Sequence, residues 1–249
     1  MDAQDYSLFD NIFMTATFDD QPEAIQEVLR IILGRDDINV LSSKAQVYYP
    51  NLMGHEAQLD IVAADDKKVV YNTEVQQKKK DAPVQRFRYD ASILDITLLK
   101  KGAKYKDLPD RYTIFICDYD PQKKGLPVYN ASYTIKELDH QELGDGSHIV
   151  LVNGKYKGKD KIGDLMRDFH QKDPKKIKSD VLRSRVEYLK NTQKGREELD
   201  KITQMIFEEK LMEVARRLLA QGRETVEGIA AATGLDLEVV KELAKNMTA

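Results

Sequence analysis

Between Pro22 and Leu33 the apolar residues Ala24, Ile25, Val28, Leu29, Ile31 and Ile32 recur at the spacing of one helix face. Asp20 is the expected cap, Pro22 falls near the first turn, and Gly34 stands just past the end. Three short runs of β character follow, over residues 45–49, 58–64 and 69–76. The turn-forming stretch Asp65-Asp66-Lys67-Lys68 separates the last two, which predicts a hairpin. Residues 83–101 then read as a helix, with Phe87, Ala91, Leu94, Leu98 and Leu99 at helical spacing and Gly102 as the stop. Residues 112–118, Tyr-Thr-Ile-Phe-Ile-Cys-Asp, are nearly continuously apolar, as suits a strand buried on both faces. Residues 128–135 and 148–152 predict further strands.

From about Asp160 the pattern turns helical. Residues 205–221 predict an amphipathic helix, and residues 225–247 two short helices around Gly234. There is no internal repeat and no low-complexity tract. The order predicts an α/β core followed by a helical C-terminal extension. The expected parts are a core over residues 1–165, a helical extension over 166–222 and a helical hairpin over 223–249.

Composition narrows the classes. The chain has 249 residues, 41% hydrophobic and 33% charged, which suits a globular core under a heavily charged surface. No apolar run approaches the ~20 residues of a membrane span. The acidic segment from Met1 to Phe9 does not read as a signal peptide, so the expected location is cytoplasmic. One cysteine, Cys117, excludes a disulfide framework and a multi-cysteine zinc site, and its strand setting makes it a core residue. The four histidines form no H-x-x-x-H pair. The net charge of −3 hides two basic stretches. Residues 78–88 carry five basic residues against Asp81, and residues 172–185 carry six against Asp173 and Asp180.

The hairpin holds the candidate chemistry. Glu74 and Gln76 are two apart, so on a strand they share a face. Asp60 lies opposite Glu74 if the loop is odd, for example the three residues Asp66, Lys67 and Lys68. Their Cβ atoms would then stand roughly 4.5–5.5 Å apart. Two carboxylates that close repel unless a proton or a divalent cation is shared between them. Mg²⁺ accepts one or two carboxylates, keeps waters and takes substrate phosphates, and the Val75 carbonyl could add an oxygen. Such an ion would supply an activated water and neutralise a phosphodiester oxygen. Gln76 cannot act as a base, but its amide can orient a water or donate to a phosphate oxygen. The spacing alone also fits a surface hairpin with ordinary polar outer positions.

The series Asp60, then Glu74-Val75-Gln76, resembles the PD-(D/E)XK nuclease core, in the variant where glutamine replaces the lysine. More closely, the chain resembles the bacterial recombination-promoting nuclease/transposase family of that superfamily. The matching features are Phe9 to Phe13, the helix around Ile25 to Leu33, Leu59-Asp60-Ile61 and Tyr71-Asn72-Thr73-Glu74-Val75-Gln76. They continue with Arg86-Phe87-Arg88-Tyr89, Gly102 and Tyr105, Tyr112 to Ile116, and the tail from Ala215 through Gly222 to Leu235. The resemblance implies a restriction-endonuclease-like fold, a central mixed sheet flanked by helices, and divalent-metal-dependent cleavage of DNA. It makes Asp60 and Glu74 metal ligands, for Mg²⁺ with Mn²⁺ or Ca²⁺ as alternatives, and puts Gln76 in the lysine's place. The wider superfamily adds an acid from the first helix, for which Glu27 is the candidate and Glu23 the runner-up. Leu59, not proline, precedes Asp60. The neutral Gln76 leaves Lys78 or Arg86 to supply positive charge.

Lys78, Lys79, Arg86 and Arg88 follow the motif directly and would hold a DNA backbone without reading sequence. Near the C-terminus, Ala230, Gly234 and Val240 have helix-turn-helix spacing. The exposed Glu238, Lys241, Glu242 and Lys245 cancel in charge, which favours a packing or dimer-forming hairpin over a recognition helix. The expectation is a metal-dependent DNA endonuclease, with a homodimer suited to double-strand cutting. The rivals are a non-catalytic DNA-binding protein that keeps the fold and a hydrolase of RNA or nucleotides.

Overall fold

The computed structural model describes residues 3–49, 57–77 and 84–247. The chain divides into two compact units, Met1–Arg196 and Glu197–Ala249.

The first unit opens with α1 (Asn11–Phe18) and α2 (Pro22–Leu33), then β1 (Val40–Tyr49), β2 (Ala57–Asp65) and β3 (Val70–Gln76). Helix α3 (Val84–Leu98) leads to β4 (Arg111–Cys117), β5 (Val128–Ala131), β6 (Thr134–Ile135), β7 (Gln141–Glu142) and β8 (Ser147–Asn153). Helices α4 (Lys161–His170) and α5 (Asp180–Asn191) follow. Six strands form one mixed sheet in the order β1-β2-β3-β4-β8-β5, while β6 and β7 pair separately. The central strands β3, β4 and β8 are parallel and the flanking pairs antiparallel. This is the mixed α/β sheet with helical flanks of the restriction-endonuclease-like fold.

Strand β4 is buried on both faces, as its apolar run requires. On one face Phe87 of α3 packs against Phe115, Cys117 and Leu151. Ile114, Ile116, Val150 and Val152 alternate to the other face and are buried too. Helices α1, α2, α4 and α5 pack on one another, with Phe169 against Phe9 and Phe18. Lys190 at the end of α5 is wholly buried. Its ammonium donates to the carbonyls of Gln4, Tyr6 and Lys172 and lies over the Phe13 ring. The boundary expected at residue 165 falls inside α4. Both α4 and α5 contact α2 and belong to the first unit.

Several local expectations are corrected. Gln21, not Asp20, precedes α2; Asp20 has a positive φ of 50° and its carboxylate pairs with Lys44 instead. Gly34 does end α2 in the left-handed region, at φ 63°. Helix α3 stops at Leu98, before Lys101, and Pro83 lies outside the described residues. The strand expected over 128–135 is two strands in different sheets. The hydrophobic pattern does not predict helix α1. Six of its eight residues are buried, so no polar face marks it out as amphipathic.

The second unit holds most of α6 (Gln193–Gln221), then α7 (Val226–Thr233) and α8 (Leu237–Met247). Ala215, Ile229 and Val240 form its buried centre, with Leu218, Leu219, Leu235 and Leu243 around them. Thr225 caps α7 by accepting the Gly228 N–H, and Gly234 ends it at φ 74°. The two short helices therefore close against the last turns of α6. Among the described residues no helix is long and apolar enough to cross a membrane.

Candidate active site

The site is built by the hairpin register. Ile61 lies opposite Thr73, Val62 opposite Asn72, Ala63 opposite Tyr71 and Ala64 opposite Val70. The loop is the odd one: Asp65 N–H donates to Val69 O across Asp66, Lys67 and Lys68, and Lys68 adopts φ 67°. Continued past Ile61, this register sets Asp60 against Glu74. The backbone ladder stops there, although both strands continue. Side chains take over: Asp60 N–H donates to Glu74 Oε1 at 3.1 Å, and Val75 N–H donates to Asp60 Oδ2 at 2.9 Å. The two carboxylates thus sit in the fork between two parting strands.

Their surroundings differ in depth. Glu74 is fully buried and Asp60 half-buried. Burial pushes the Asp60 carboxyl up to about 6, against the pull of the Val75 N–H and the Arg86 guanidinium. Burial, then the neighbouring Asp60 charge, pushes Glu74 well above the usual carboxylate range. Arg86 on α3 donates from Nη2 to Glu74 Oε2 at 2.8 Å and from Nε to Asp90 Oδ2 at 3.3 Å. Asp90 is buried and its carboxyl is itself raised by burial. One guanidinium is therefore shared by two buried acids, with a third carboxylate close by.

Gln76 is buried on the Glu74 side of β3. Its carbonyl accepts the Asp118 N–H, toward β4. By alternation the Val75 carbonyl points toward β2, the side from which the Val75 N–H reaches Asp60. Asp60, Glu74 and the Val75 carbonyl thus offer hard oxygen donors from one fork. Among the described residues, no group of three or more His, Cys, Asp and Glu side chains is arranged to hold a metal. Asp90 turns to Arg86 and does not complete one.

Arg86 comes to this fork, and Arg88, two residues on and so on roughly the opposite side of α3, is exposed. Lys78 and Lys79 lie outside the described residues. Glu27 is not brought to the pair. It lines a cleft with Lys161 and Asp164 of α4, while Glu23 lines another with Arg185 and Tyr188. The sequence reading missed Asp90 and Gln46. Asp90 stands four residues after Arg86, a helical pair spacing that could have flagged it. Gln46 on β1 has a positive φ of 52°, bonds to the Asp60 carboxylate and donates to Asn11 Oδ1 at 3.0 Å. No sequence signal announces that conformation.

A mixed sheet with helical flanks, whose second and third strands part around an Asp–Glu pair with a glutamine two residues on, is consistent with the restriction-endonuclease-like fold. The chain belongs to the PD-(D/E)XK nuclease family transposases: the family model of that description matches residues 5–225 of 249. No curated protein and no solved structure matches the chain.

Proposed function

We propose that this protein is a divalent-metal-dependent DNA endonuclease that hydrolyses phosphodiester bonds at the Asp60–Glu74 fork. The supporting observation is the fork itself: two carboxylates from neighbouring strands share one opening, each tied across it by a backbone N–H of the other strand. Asp60, Glu74 and the Val75 carbonyl are the residues that would hold the ion, and hard oxygens of this kind suit Mg²⁺ or Mn²⁺. Bound there, the ion would supply an activated water and charge neutralisation at phosphorus. Gln76 orients that water or a phosphate oxygen through its amide. Arg86, aimed by Asp90, supplies the positive charge that Gln76 lacks. Arg88, with Lys78 and Lys79, holds the flanking backbone. Family membership supports a nuclease-like, transposase-related role, and recombination is the process that cleavage would serve.

Plasmid DNA with purified protein and Mg²⁺ or Mn²⁺ should yield nicks or breaks. Asp60→Ala should yield none while folding normally. Cleavage by that variant at the wild-type rate would remove the assignment. A second reading, a DNA-binding protein with a weakened site, is favoured by the neutral Gln76 and by Arg86 already on Glu74 Oε2. Retarded DNA with no cleavage in Mg²⁺, Mn²⁺ and Ca²⁺ would establish it.

A further inference from the structure

The second basic stretch, residues 172–185, plays no part at the fork. Its Lys176 and Lys178 line a cleft of about 450 Å³, whose other walls are the loop following β8, with Lys155 and Lys157, and Arg167 on α4. The position of this cleft is set by the sheet. Gln76, Cys117 and Asn153 are level across the parallel strands β3, β4 and β8. Gly154, the next residue, donates its N–H to Cys117 O at 2.7 Å and lines the cleft. The cleft therefore opens at the sheet end that carries Glu74 and Gln76, and β8 lies two strand spacings, about 10 Å, from β3.

Charge is layered within it. The ammonium-bearing side chains are outermost: Lys155, Lys176 and Lys178 are 55%, 70% and 60% exposed. The carboxylates they pair with are each less exposed: Asp118 at 28%, Asp173 at 44% and Asp164 at 34%. Asp168 is buried, and its oxygens accept the N–H groups of Lys178 and Ser179 at 2.8 and 2.9 Å. Asp164 is shared by Arg167 and Lys178, and Asp118 accepts from Lys155 at 2.6 Å. Asp173 stands 3.8 Å from Lys176. Lys157 has no acidic partner among the described residues, and Lys159 continues the basic loop. An approaching polyanion meets cations first.

We propose that this cleft is a second DNA-backbone contact, holding phosphates of the same duplex whose scissile phosphate lies at Asp60–Glu74. Duplex DNA carries one charge per roughly 1.7 Å of helix axis, so a duplex seated at the fork brings several phosphates across a span of about 10 Å. The proposal rests on the DNA-cleavage reading for the second half of that sentence only. Binding by the cleft needs no chemistry at the fork.

The test is fluorescence anisotropy of a labelled duplex in EDTA across a salt series, with melting curves to verify folding. Lys157→Gln/Lys176→Gln/Lys178→Gln should weaken binding roughly tenfold or more at low salt and flatten the log–log salt slope by about 0.9 for each lost phosphate contact. Lys157→Gln alone, which breaks no ion pair, should flatten it by about 0.9 if one contact is lost, and it serves if the triple variant misfolds. Lys100→Gln/Lys101→Gln/Lys106→Gln, which changes net charge equally at the opposite end of α3, should leave the slope as in wild type. An unchanged slope in both cleft variants overturns the proposal, as does an equal loss in the control or a wild type that binds no duplex. Lysine-dependent binding without cleavage in Mg²⁺ or Mn²⁺ would keep the cleft and discard the nuclease reading. Cleavage with an unchanged slope would do the reverse.

Discussion

At the loop end of the β2–β3 hairpin, the buried Asp65 carboxylate accepts the N–H groups of Lys67 and Val69 and the hydroxyl of Tyr71, at 3.0, 2.9 and 2.8 Å. At the open end, Asp60 and Glu74 each accept one backbone N–H across the fork, and one guanidinium serves Glu74 and Asp90 together. The residue types are the same. The supply of donors is not. Asp65 has a full local set and closes a turn, so it is structural. At the fork three carboxylates share two backbone N–H groups, the Gln46 side chain and one guanidinium, and all three carboxyls are raised, the condition under which an acid pair takes up a proton or a cation.

The sharpest way to break this contrast is to exchange which end matters for which property. Asp60→Ala should bring DNA cleavage in Mg²⁺ to background with little loss of melting temperature. Asp65→Ala should leave specific activity near wild type but cost about 2–4 kcal/mol of stability in urea unfolding, since two buried N–H groups and a tyrosine hydroxyl lose their acceptor. If Asp65→Ala abolishes cleavage in a folded protein, the division of labour proposed for the hairpin is wrong. Arg86→Met should cost about 3 kcal/mol, because it strips the buried Glu74 of its partner, and should slow cleavage as well. Asp90→Asn keeps the guanidinium but loosens its aim. A smaller rate loss than for Arg86→Met is expected, and an equal one would make Asp90 more than a positioning residue.

The pH dependence follows from the raised carboxyl. Between about 4 and 6 the folded Asp60 binds more proton than the unfolded chain, so metal-free stability should fall as pH rises through that window. Asp60→Asn should remove that part of the slope in thermal melts from pH 4 to 7, and a wild-type curve no steeper than the variant's would contradict it. Cleavage should rise with pH through that window and beyond it, because both Asp60 and the raised Glu74 must ionise before the pair can hold an ion. The smallest effect concerns Asn72, which is buried with both polar side-chain atoms unpartnered among the described residues, on the strand that carries Glu74. Asn72→Val should change stability by no more than about 1 kcal/mol, with any shift toward greater stability.

Much of the frame was legible along the chain because its determinants are local. Helix α2 announces itself by one apolar stripe and a glycine stop, and β4 by an apolar run too short for a helix. The Asp60–Glu74 pairing was legible too, because strand alternation and the parity of a three-residue loop leave one register that puts both on one side. Where contrast was missing, so was the signal: α1 is buried nearly all round, and the 128–135 segment breaks between two sheets.

The amino-acid sequence by itself determined the alternation, the turn and the two acids that meet across it, since each depends on neighbours a few residues apart. Only the tertiary structure decided that Arg86 reaches Glu74 while Asp90 holds it, that Gln46 bends to Asp60, and that Glu27 faces α4. It alone brought the loop after β8 and the segment before α5 to one cleft. These arrangements join distant parts of the chain through the packing of whole helices and strands, and no local pattern carries the direction in which a packed helix turns its polar side.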